Sequence, residues 1–289
     1  MLTALIDSID RRGADHVLAY PPDPMTQPMR KGEAVHRAIW AGAAVALGAS
    51  ALVRRHPVAA ITLAASGAAV GVAAFTPRSP LLGGVLHRGP ADRPRASLTF
   101  DDGPGPSTPD VLDALAAEGV RATFFVLGRQ AERYPEIVRR IADEGHEIGN
   151  HGYDHGILIF RGARHVAGQI ARTERAVARA GADRAMSRLF RAPHGFRGPA
   201  TAIGSRRAGY RTAAWTRGVF DSAEPGAAVI AQRTVRALEP GAVILLHDAD
   251  GWAPGRPRQQ TADALPEICR AARARDLELV PMGVLMAPA

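Results

Sequence analysis

Residues 97–107 read SLTFDDGPGPS, a short β-prone run that ends on two carboxylates and breaks at a Gly/Pro turn. Gly103 and Gly105 permit that turn, and Pro109–Glu118 follows with apolar spacing suited to a helix. The same order recurs downstream. Strand candidates stand at Ala96–Phe100, Arg121–Leu127, His146–Gly149, Leu189–Arg191, Arg211–Thr216, Ala242–Leu246 and Leu277–Pro281. Helices fit between most of them, at Glu132–Glu144, His165–Ala180, Pro199–Ala208, Pro225–Leu238 and Gln259–Ala274. Pro135 near the start and Gly145 just past the end of the first of these mark helix limits.

Strands alternating with helices predict an α/β domain with a parallel sheet covered on both faces. A β/α barrel and a doubly wound sheet both satisfy that alternation. Asp101 and Asp102, Asn150 and His151, Arg191, and His247 and Asp248 all fall at or just past strand carboxyl ends. In either fold that edge gathers ligands and chemistry. Four strand ends supplying charged groups to one mouth favour a closed or nearly closed barrel.

The chain has 289 residues, and its 36 basic against 28 acidic side chains give a formal charge of +8. The excess is concentrated early: residues 1–95 carry 11 basic and 6 acidic groups, and residues 96–289 carry 25 and 22. A nucleic-acid footprint would load the folded domain instead, so nucleic acid is not expected as a partner. The single cysteine, Cys269, admits no internal disulfide or cysteine-based metal cluster, and its helical setting suits packing.

Residues 1–37 form a polar, proline-interrupted arm. Residues 38–53, AIWAGAAVALGASALV, and 58–75, VAAITLAASGAAVGVAAF, carry no charge and flank a turn holding Arg54 and Arg55. Each run approaches the roughly 20 residues of a membrane-crossing helix, so 38–75 is expected to be a transmembrane helical hairpin, with a buried soluble hairpin as the alternative. Residues 76–95 read as a linker and 96–289 as the catalytic domain, anchored to a bacterial inner or plasma membrane. The basic flanks leave the side of that domain open.

HGYDH at 151–155 places two imidazoles four apart, which on a helical turn would share one face and could hold a divalent ion. Two exposed loop histidines are the plain alternative. Adjacent Asp101 and Asp102 can cap a turn, or divide labour between ligating a metal and receiving a proton. Two histidines and one aspartate would leave positions for water and a substrate oxygen. His247, in ILLHDAD at 244–250, is placed to donate a proton to a leaving group, though such a position also suits an exposed loop histidine.

TFDDGP at 99–104, GHEIGNHGYDH at 145–155, RAPHG at 191–195 and LLHD at 245–248, in this order, resemble the signature of the polysaccharide deacetylase family. This is the NodB-homology or carbohydrate esterase 4 family, and the resemblance covers about residues 96–289. It implies a distorted β/α barrel, complete or incomplete, of seven or eight strands, removing acetyl groups from sugars by metal-dependent hydrolysis. It further implies that Asp102, His151 and His155 hold the metal, usually zinc, with Asp101 as general base and His247 as general acid. Arg191 would orient Asp101, and the backbone amide of His194 would face the oxyanion.

The sequence also departs from the family pattern. Gly152 stands where relatives commonly have Ser or Thr, and His194 where an aromatic is usual. The usual Asp-Trp motif is missing in its standard form, and Trp215 through Asp221 is the nearest candidate, with Asp221 supporting His247. Leu246 is the candidate wall of the acyl pocket, and Trp215 and Trp252 are candidate sugar-stacking surfaces; each also has an ordinary packing role open to it. The substrate expected is an N-acetylated sugar of peptidoglycan or a chitin-like oligomer. The rivals are a lipid-linked amino sugar losing an acyl or formyl group, and a glycan-binding module without turnover.

Overall fold

The structure is a computed structural model that describes residues 66, 69, 71–79 and 84–287. The chain divides into two units, Met1–Ala65 and Ser66–Ala289, of which the first lies outside the described residues. The expected polar arm and nearly all of the expected hairpin therefore also lie outside them. Among the described residues no helix is long and apolar enough to cross a membrane.

Eight strands form one sheet: β1 (Arg95–Asp101), β2 (Thr123–Val126), β3 (Glu147–Asn150), β4 (Met186–Phe190), β5 (Arg211–Thr212), β6 (Arg217–Gly218), β7 (Val243–His247) and β8 (Glu278–Leu279). Their order is β5-β4-β3-β2-β1-β7-β6, with β8 pairing to β1, and every pairing is parallel. The helices α1 (Thr108–Ala117), α2 (Gly128–Arg133), α3 (Pro135–Asp143), α4 (Ala163–Arg179), α5 (Pro199–Arg207), α6 (Ala227–Ala237), α7 (Gln259–Arg273) and α8 (Met282–Leu285) connect and close it.

Side-chain alternation sorts each strand into two cores. Leu98 and Phe100 of β1, Phe124 and Val126 of β2, and Ile244 and Leu246 of β7 pack outward against the helices. Phe125, Leu189, Val243, Val280 and Met282 fill the inner face of the sheet. Thr99 also faces inward, its hydroxyl donating to the Ile244 carbonyl at 2.8 Å.

Of the two forms expected, complete or incomplete, the barrel is the incomplete one, an open, curled sheet in which β5 and β6 do not pair. The expected strand over 211–216 keeps only two residues, and the chain re-enters on the far side as β6. Residues 86–88 lie across the gap. Leu86 bridges Ala213, Arg88 bridges Ala242, and Thr216 donates its hydroxyl to the His87 carbonyl at 2.7 Å.

Candidate active site

The site is built where β1, β3, β4 and β7 end. Asp101 is the last residue of β1, and Asp102 follows at φ 75°, which turns its side chain out of the strand's alternation so that both carboxylates serve one cavity. His151 leaves β3 directly. The segment from His151 to His155 is a loop and not the expected helical turn: Gly152 and His155 have φ of 81° and 61°. Both imidazoles nonetheless reach the same atom, with His151 Nε2 3.3 Å and His155 Nε2 3.0 Å from Asp102 Oδ1.

These three groups fit a cation. One ligand atom from each lies within 4.8 Å of the others, all three residues are buried, and Asp102 Oδ1 has no hydrogen-bond partner. His151 Nδ1 donates to the Arg191 carbonyl at 2.9 Å, which leaves Nε2, on the Asp102 side, as the nitrogen that would ligate an ion. Burial alone would raise the Asp102 carboxyl, but the two imidazoles outweigh it and hold it well below the usual carboxylate range.

Gly251 completes the cradle. Its N–H donates to Asp102 Oδ2 at 3.1 Å, its carbonyl accepts from Arg129, and a Cβ there would stand 2.5 Å from the His155 ring. Any side chain at 251 must therefore displace a metal-site imidazole. On the other flank Gly103 packs as closely against Asp248, whose Oδ2 accepts from the Thr108 hydroxyl at 2.6 Å. Burial pushes the Asp248 carboxyl up to about 7.

Asp101 stands beside this cluster, its Oδ2 3.8 Å from His151 Nε2. Its Oδ1 accepts from Arg191 Nη1 at 2.6 Å. Arg191 is fully buried, bonds also to Thr99 Oγ1 and the Ala214 carbonyl, and lies 3.9 Å above the Phe125 ring. A guanidinium held this way fixes one carboxylate oxygen and leaves the other available.

Across the cavity, His247 Nδ1 donates to Asp221 Oδ1 at 2.9 Å, and its backbone N–H donates to Asp221 Oδ2 at 2.7 Å. The Thr261 hydroxyl also donates to that carboxylate, at 3.0 Å. Burial alone would push the His247 imidazole down, but the Asp221 charge outweighs it and raises it to about 9. The sequence thus placed Asp221 correctly beside His247.

A cavity of about 360 Å³ is lined by Asp101, Asp102, His151, His155 and His247, with His194, Trp215, Leu245 and Trp252 as walls. Leu246 is not among them. It is fully buried in the helix-facing core, and strand alternation gives the wall to Leu245. His194, at φ 60°, donates from Nε2 to the His155 carbonyl at 3.3 Å, and its ring stacks on Trp252 at 5.1 Å. Burial, with His155 and His151 nearby, lowers its imidazole to about 4, so it is neutral at pH 7.

The polysaccharide deacetylase family pattern matches residues 88–213. A chitooligosaccharide deacetylase of Bradyrhizobium sp. (strain ANU 289) is 38% identical over 197 residues, covering 65% of this chain and 89% of that protein. The chain belongs to the polysaccharide deacetylase family.

Solved structures of the family agree with the fold. A peptidoglycan N-acetylglucosamine deacetylase bound to an N-hydroxybenzamide compound has a TM-score of 0.64 and 31% identity, covering 70% of this chain and 92% of that one. A family 4 carbohydrate esterase from Streptomyces lividans, in complex with acetate, has a TM-score of 0.57 and 32% identity, covering 65% and 91%. With the buried Asp/His/His cluster in place, this member of the polysaccharide deacetylase family is a metal-dependent hydrolase acting on amide bonds.

Three contributors escaped the sequence reading. Gly251 is legible only once the β7 loop is seen to cross the β3 loop, and Thr99 and Phe125 only once β1 and β2 share their inner face with Arg191. Nothing in the local sequence marks Gly251 or Phe125, and Thr99, though it opens TFDDGP, shows no role until Arg191 is seen to bond its hydroxyl.

Proposed function

We propose that this protein removes the N-acetyl group from a sugar of a chitin-like oligosaccharide or of peptidoglycan. One observation carries the reading: a cation-fitting cluster, a carboxylate fixed by a buried arginine and an imidazole fixed by a buried carboxylate all line one cavity. Those are the parts that amide hydrolysis requires.

Asp102, His151 and His155 would hold the ion, and two nitrogen donors with one oxygen donor favour zinc. A divalent cation bound there supplies Lewis acidity toward water and the amide carbonyl. Asp101, with Oδ1 engaged by Arg191, takes the proton of the attacking water on Oδ2. The water oxygen bonds to the carbonyl carbon, and the backbone amide of His194 is the candidate donor to the developing oxyanion. His247, with Nδ1 engaged by Asp221, gives its Nε2 proton to the sugar nitrogen as the C–N bond breaks, leaving acetate and the free amine. Leu245 and Trp215 replace Leu246 as the candidate walls for the acetyl methyl.

The acid role fixes a pH dependence. His247 works protonated, so activity is retained below its raised value of about 9 and lost as pH climbs through it. Asp221→Asn removes the charge that raises it, and the basic limb of kcat/KM should move down by about 2 pH units. A basic limb that stays in place would remove His247 from the acid role.

The substrate class is tested by acetate release from N-acetylglucosamine oligomers, peptidoglycan fragments and O-acetylated xylan. Turnover of an N-acetylated substrate is expected. Release from the O-acetyl ester alone would overturn the amide reading.

A further inference from the structure

Large apolar side chains scattered singly over a surface need no explanation, whereas several gathered at one edge mark a contact surface. Eight such side chains are exposed among the described residues, and six of them, Val72, Phe75, Ile157, Phe160, Phe220 and Trp252, stand at the edge that carries the active site. Phe160 is the most open, at 84%. Trp252 walls the metal cavity, and Phe220 walls the adjoining cavity that shares His247 and Leu245 with it. Ile157 and Phe160 lie in the loop that follows His155.

Val72 and Phe75 reach this edge because their segment is fastened to it. Ala73 and Ala74 pack on Ile159, and the Phe75 ring meets Phe196 edge-on at 5.1 Å. The buried Arg197 holds the same segment twice, donating from its backbone to the Ala74 carbonyl at 3.0 Å and from Nη2 to the Ser79 carbonyl at 2.7 Å. Arg78 then reaches across to the Thr216 carbonyl at 3.2 Å.

The sequence says what covers this edge. Val72 and Phe75 close an 18-residue run, 58–75, that contains no charge, so the most apolar part of the chain ends on this patch and no other. Exposed Arg78, Arg161 and Arg164 stand on the segments that form it. Aromatic and aliphatic side chains beside arginines match the boundary between phospholipid headgroups and acyl chains.

We propose that the catalytic edge docks on a phospholipid bilayer, with Phe75, Ile157, Phe160 and Phe220 inserted at the headgroup boundary and the active-site mouth opening at the membrane surface. This goes beyond the deacetylase reading and does not depend on it.

The test uses the full chain with an environment-sensitive fluorophore on Phe160→Cys or, separately, Phe220→Cys. The native Cys269 is buried, and burial pushes its thiol up to about 12, so it stays unlabelled. Val284→Cys is the reference, since Val284 is exposed in a cavity with His146 and Pro281 at the opposite edge of the sheet. The labelled proteins are reconstituted in vesicles of phosphatidylcholine and phosphatidylglycerol, with and without doxyl-labelled lipid, after circular dichroism has confirmed the native fold. The proposal predicts blue-shifted emission and about twofold or greater quenching at 160 and 220, with little at 284. Quenching at 160 and 220 no greater than at 284 would overturn it. So would a blue shift that depends on protein concentration and ignores the doxyl lipid, since that would mean that a second copy of the chain covers this edge.

Discussion

Asp101→Asn is expected to lower kcat for deacetylation by about 10²- to 10⁴-fold while the protein keeps its full complement of zinc. The reason is positional. Asp102 Oδ1 is the oxygen that meets both imidazoles, whereas the nearest Asp101 oxygen is 3.8 Å from His151 and its other oxygen is engaged by Arg191. An amide preserves shape and can still accept from the guanidinium, but it cannot take a proton from water. The change also leaves the fully buried Arg191 without a counter-charge, so a lower melting temperature should accompany the loss. Activity is therefore measured well below that temperature, with zinc counted in the same sample. Equal loss of metal and of turnover would show that Asp101 serves the metal and not the proton.

His155→Ala should fail differently. Removing this imidazole takes one of three donors from the cluster and leaves a void between Gly251 and His194, which pack on its ring. Zinc affinity should fall by more than the roughly 10- to 100-fold that loss of an outer partner costs. Turnover should recover partly when zinc is supplied in excess, because Asp101, Arg191 and His247 stay in place. Equilibrium dialysis gives the affinity directly. A variant that binds zinc as the parent does would exclude His155 from the ligand set.

Much of this site is legible because parallel strands deliver their chemistry at one edge, so polar residues just past apolar runs identify the mouth from sequence alone. Asp101, Asp102, His151, Arg191 and His247 all stand out that way; four of them line one cavity, and Arg191 lies buried behind it, bonded to Asp101. Readings failed where the local signal was ambiguous. In ILLH both leucines are equally apolar, and only the pairing of β7 with β1 decides that Leu246 faces the helices and Leu245 the cavity. The spacing of His151 and His155 suits a helical face, yet left-handed residues at Gly152 and His155 bring the rings together from a loop. Whether the barrel closes is not legible, because strand ends converge on one mouth in an open curled sheet as well as in a closed one. What fills the gap, residues 86–88, lies in a stretch whose Pro/Gly/Arg composition reads as linker.

The central claim is that a divalent metal at Asp102, His151 and His155 drives hydrolysis of an N-acetyl group. It is tested most directly by acetate release from N-acetylglucosamine oligomers by the detergent-solubilised full chain, before chelation, after chelation, and after zinc is returned. Release that chelation abolishes and zinc restores is expected. Release that persists undiminished in protein shown to be free of metal, or none from protein shown to contain it, would contradict the claim.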